Sequence, residues 1–135
     1  MTRAVTRAVV YDESALLALG SGNRLASQFI ANTEHSATRH VYVPTLCLAA
    51  ADANREGIAE HVGALPSADI VELDFAGASA VGALVRGGLS WRIAHAVHLA
   101  RPSLAWPDGC PVVTRSPDLY EKTSLVRTIR LPDHP

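Results

Sequence analysis

Short runs of β-branched and apolar residues alternate along this chain with segments of helical spacing, and that alternation leaves few folds open. Ala8-Val9-Val10-Tyr11, Val41-Tyr42-Val43, Ile70-Val71-Glu72-Leu73 and Pro111-Val112-Val113-Thr114 read as strands, and Val126 to Leu131 alternates apolar and polar residues as an edge strand does. Between them the spacing predicts helices over Ser14–Leu19, around Leu25, Phe29 and Ile30, from Pro44 toward Arg55, and over Ile58–Leu65, Ala76–Val85 and Leu89–Leu99. Pro44 is placed to open a helix at its first turn, Gly57 to end it, and Trp106-Pro107-Asp108-Gly109 carries turn chemistry. Strands separated by helices pair in parallel through right-handed crossovers. The expected fold class is therefore α/β, a three-layer α/β/α sandwich with a mostly parallel sheet.

The 135 residues suffice for one domain with one core, and no repeat or linker divides them. With 48% hydrophobic and 19% charged residues the chain is too apolar for disorder, and it has no apolar run of membrane-spanning length. The first residues, MTRAVTRAVVYDE, do not match a cleavable secretory signal, so a soluble, cytoplasmic protein is expected, with no membrane partner. Cys47 and Cys110 form no CxxC or zinc-like pattern and read as reduced thiols, Cys47 within an apolar run. A net charge of −1 without a basic block argues against strong non-specific binding to nucleic acid, which needs clustered cations.

In a parallel sheet the ligand site lies outside the carboxyl ends of the strands. Asp12 ends the first strand there, able to bind a hard cation through oxygen or to cap the helix that follows, and the two roles are compatible. Thr114-Arg115-Ser116 ends the fourth strand on the same rim, and Asp118 either adds a second carboxylate or serves as a turn residue after Pro117. Glu13 fits a first-turn helix acid, and Asp74 and Asp108 fit turns or caps. His95 and His98 stand three apart on one helix but lack the HExxH signature; His95, between Ala94 and Ala96, fits a hydrogen-bonded imbedded imidazole better than a metal ligand. No glycine-rich phosphate cradle and no GxSxG elbow is present.

From about Arg7 to Pro132 the order of VVYDESALLAL, VYVPTLCLAAA and PVVTRSPDLY resembles the PIN domain, the fold of the toxin ribonucleases of bacterial toxin–antitoxin pairs. The resemblance implies one PIN-like domain over residues 1–135, with a core of 7–132, and a metal-dependent endoribonuclease whose acids hold Mg²⁺ or Mn²⁺ to activate a water against a phosphodiester. The family's first acid matches Asp12. The others fall on Ala50, on Ile93 or Arg92, and on Ser116, while Asp118 stands where some relatives carry an additional acid.

A site of Asp12 and Asp118 with the hydroxyls of Thr114 and Ser116 would hold Mg²⁺ weakly, and Arg92 or Arg115 nearby would repel it. The preferred reading is thus a PIN-like binding or regulatory protein with a degenerate metal site, working as a homodimer or with an antitoxin-like partner. The alternative is an active Mg²⁺- or Mn²⁺-dependent endoribonuclease that cleaves RNA through Asp12, Asp118 and Asp108. A phosphoacceptor receiver domain also gathers acids at strand ends, but its lysine at the end of the last strand is missing: Lys122, the only lysine, precedes that strand.

Overall fold

The computed structural model describes residues 8–34, 36, 38–123 and 126–132. Its central strand, β1 (Ala8–Tyr11), is buried along its whole length and has a parallel neighbour on each side: β2 (His40–Pro44) and β4 (Val112–Thr114). A strand covered on both faces has no use for polar alternation, which is why Ala-Val-Val-Tyr is a continuous apolar run. The edge strands are β3 (Ala68–Val71), which pairs with β2, and β5 (Thr128–Arg130), which pairs with β4. All pairings are parallel, and the order is β3-β2-β1-β4-β5.

Parallel neighbours need helical crossovers, and the chain supplies them. Helices α1 (Glu13–Gly20) and α2 (Arg24–Glu34) lead from β1 to β2, and α3 (Thr45–Asn54) and α4 (Ile58–Gly63) lead on to β3. Then α5 (Phe75–Arg86) and α6 (Trp91–Ala100) carry the chain back past β2 and β1 to β4. The five strands are thus flanked by helices in the expected α/β/α arrangement, and the direction of winding reverses between β1 and β4. Tyr11, Leu16, Val43, Val97, Val112, and Leu131 are among the side chains closed off from solvent in the core. No helix among the described residues is long and apolar enough to cross a membrane.

Several boundaries differ from the sequence expectation, each for a local reason. β3 lies at Ala68–Val71 rather than Ile70–Leu73, because its register sets Ala68 opposite Val41 and Val71 opposite Pro44. Beyond Pro44 the partner strand has become α3 and offers Glu72 and Leu73 nothing to pair with. Pro44 is accordingly the last residue of β2 and the N-cap of α3, not a residue of its first turn. Gly57 does not terminate α3, which is capped by Arg55; it precedes Ile58 as the N-cap of α4. α6 starts at Trp91 rather than Leu89, since the Ser90 hydroxyl accepts from the Arg92 amide while Leu89 N–H closes the preceding turn onto Leu84 O. The last strand is shorter than Val126–Leu131, matching the three residues that β4 presents. A single-turn 3-10 helix, Pro117–Tyr120, occupies the stretch after β4.

Candidate functional site

Reversal of winding between β1 and β4 opens a crevice at their carboxyl ends, where a ligand meets the sheet of a doubly wound fold. Asp12 stands there, 2% exposed, as the N-cap of α1. Its Oδ1 accepts from Ala15 N at 3.0 Å and from the Ser14 hydroxyl at 2.7 Å, and its Oδ2 accepts from the Tyr120 hydroxyl at 2.7 Å. Burial, reinforced by the Asp12 carboxylate, pushes the Tyr120 phenol far up, so it stays protonated and remains a donor.

The hydroxyl protons around Asp12 follow from this arrangement. Ser14 spends its proton on Asp12, so in the 3.2 Å contact between Ser14 and Thr114 the threonine donates. Ser14 Oγ also accepts from Arg115 N at 2.9 Å, and Thr114 Oγ1 accepts from Ser116 N at 3.0 Å. Asp12, Ser14, Thr114 and Tyr120 therefore form a continuous chain of hydrogen bonds that ties β1, α1, β4 and the 3-10 helix together.

A cleft of about 310 Å³ lies over this network, with Leu17, Ile93 and Leu119 among its walls and Glu13, Arg92, Ser90 and Ser116 joining Asp12 and Ser14 among its polar residues. Glu13 does occupy the first turn of α1, and it does more: its Oε1 takes the Arg92 guanidinium at 2.8 Å, while Asn54 Nδ2 donates to its Oε2 at 3.5 Å. The Arg92 guanidinium also lies 5.2 Å from the centre of the Trp91 ring. Of the two residues matched to the third family acid, Ile93 therefore supplies apolar wall and Arg92 supplies a cation already paired.

The other expected site residues separate. Ser116 is exposed and lines the cleft, Thr114 is buried within the network, and Ala50 is a buried methyl on α3. Asp118 is exposed on the 3-10 helix and is not among the cleft residues. Asp108 precedes β4 and so lies at the amino ends of the strands, the opposite rim from Asp12. Asp74 caps α5 through Gly77 N at 2.7 Å, as a cap reading anticipates.

These donors do not fit a hard divalent cation. A carboxylate offers about four acceptor sites, and internal donors fill three of those on Asp12. Mg²⁺ is bound through carboxylates in near-ideal octahedral geometry, and among the described residues no group of three or more His, Cys, Asp or Glu could hold a metal ion.

His95, on α6, is buried and accepts at Nδ1 from Leu46 N at 3.3 Å. Leu46 N belongs to the first turn of α3, whose N-cap Pro44 has no side-chain acceptor, so His95 satisfies that helix end from a neighbouring helix. Burial, then the nearby His98, lowers its pKa from 6.5 to about 4 against an opposing pull from Asp74. The unfolded chain therefore takes up a proton near pH 6.5 that the folded chain refuses until about pH 4, so stability is full above 6.5 and falls as pH drops through that window. The expected loss is at most about 3 kcal/mol. Urea unfolding of wild type and His95→Gln at several pH values checks it, because the variant lacks this part of the slope.

A five-stranded parallel sheet in this order, flanked by helices and with its crevice between β1 and β4, is PIN-like. No protein-family model and no curated protein matches the chain. Nine chains of solved structures match it. Among them is a chain from the crystal structure of VapBC2 from Rickettsia felis bound to a DNA fragment from their promoter. The two align with a TM-score of 0.59 over 93% of this chain and 99% of that one. At 9% identity the likeness is one of fold.

Proposed function

We propose that this chain is a PIN-like binding or regulatory protein whose degenerate crevice receives a protein partner instead of a catalytic metal. One observation carries the reading: Asp12 is committed to three internal donors, and the cation of the same cleft, Arg92, is paired with Glu13. Arg92 or Ile93 stands where the resemblance expects a third acid, so the cleft carries a fixed positive charge in place of a metal-holding carboxylate. The fold likeness to a chain of the VapBC2 assembly supports an antitoxin-like protein as the class of partner, and the apolar walls of the cleft support a protein over RNA as its occupant.

Ribonuclease assays in Mg²⁺ and Mn²⁺, with calorimetric titration of each ion, test this. The expected result is no cleavage above background and no binding heat at millimolar metal. Robust cleavage that disappears in Asp12→Asn would establish instead the metal-dependent endoribonuclease built on Asp12 and Asp118.

A further inference from the structure

The cleft carries both charges of an ion pair, and their unequal exposure decides which of them a visitor meets. Glu13 is 18% exposed and Arg92 is 45% exposed. The bond to Glu13 engages one terminal nitrogen of Arg92, and it is the only side-chain hydrogen bond Arg92 makes among the described residues. A guanidinium has five N–H donors in a planar fork, so donors remain for an incoming anion. Ser116 adds an exposed hydroxyl on the same cleft. Asp12 contributes little negative surface, being buried and covered by its own donors. The walls are apolar, and Leu119 is 55% exposed.

Resting on the binding role proposed above, we infer that the cleft takes an acidic, apolar segment of a partner protein. An apolar side chain of the segment packs between Leu17, Ile93 and Leu119, and a carboxylate close to it in sequence is held by Arg92 and Ser116. Charge complementarity selects the acid, because a cationic segment would meet the more exposed member of the pair with the wrong sign. RNA fits less well: a phosphodiester backbone needs clustered cations, and here a single accessible guanidinium sits beside a carboxylate on apolar walls.

Trp91 provides the readout, since its ring lies against the Arg92 guanidinium and the chain has only one other tryptophan, Trp106. In a Trp106→Phe background, Trp91 emission is followed while capped peptides are added: a Leu-Asp repeat, a Leu-Lys repeat and a Gly-Asp repeat, with oligouridylate in parallel. The Leu-Asp repeat is expected to saturate the signal and to bind about tenfold or more tighter than the other probes. Arg92→Gln should weaken it by about tenfold or more, and Leu119→Ser, a change at an exposed position, should weaken it with the fold intact. Preference for the Leu-Lys repeat or for oligouridylate, an equal response to the Gly-Asp repeat, no response to any peptide, or indifference to Arg92→Gln would each overturn the inference. Failure of the broader reading looks different: it shows as Mn²⁺ binding and RNA cleavage, which these titrations do not measure.

Discussion

Replacing Asp12 with alanine is expected to lower the free energy of unfolding by roughly 3–5 kcal/mol, as the sum of a lost helix cap and the orphaning of buried donors. The cap alone contributes about 1 kcal/mol. The Tyr120 hydroxyl, closed off from water, then has no acceptor, at a cost of about 1–3 kcal/mol, and Ser14 loses the acceptor for its proton. Urea titration should show a midpoint shifted well down with an unchanged slope. Asp12→Asn should cost far less, because its amide oxygen still accepts from Ala15 N and its NH₂ can donate to the Tyr120 oxygen. The same contrast governs activity measurements. Alanine at this position lowers stability along with any chemistry, so only asparagine separates the two. Equal stability of the alanine variant and wild type would show that the network around Asp12 is not structural.

Gly109→Ala is expected to be the other costly exchange, at about 3 kcal/mol or more, read as a lowered melting temperature. Gly109 sits at φ +76°, and a Cβ there would stand 2.4 Å from the carbonyl oxygen of Ala100. That oxygen cannot retreat, since it accepts the amide of Cys110 at 2.9 Å as the chain enters β4. Gly22→Ala separates clash from backbone preference. Gly22 has a similar φ of +81° but open space around it, so only the left-handed penalty of about 1–2 kcal/mol applies. Similar losses at the two positions would mean that the close approach to Ala100 carries no energy.

The fold was legible because its signals are local. Ala8-Val9-Val10-Tyr11 can be read as a doubly covered strand without knowing its neighbours, and Asp12 declares itself as the residue where strand gives way to helix. Ends of strands were less legible, since β3 stops where β2 turns away, which is a property of the partner and not of Glu72 or Leu73. The site was half legible for the same reason. Ser116 belongs to the rim of Asp12 by its place at the end of the fourth strand, the Arg92–Ile93 pair comes there only through the family resemblance, and all three line the cleft. Glu13, however, read as an ordinary first-turn acid, because its partner Arg92 lies on α6 and nothing in the local sequence joins them. Tyr120 was missed as the third donor to Asp12 for want of any local sign. Asp108, grouped with the rim acids as a candidate, sits before β4 and therefore at the wrong end of the sheet.

The late return of the chain to β4 has a consequence for biogenesis. Val10 can gain β2 as a neighbour once Tyr42 has emerged, but its other flank is covered only after Val112 has followed. On the ribosome this hydrophobic ribbon is therefore clothed on one side only while β3 and the helices up to β4 are being made, a state prone to misassociation. A chain cut before β4 would stay so permanently, and long-range closure of this kind sets a slow pace for refolding.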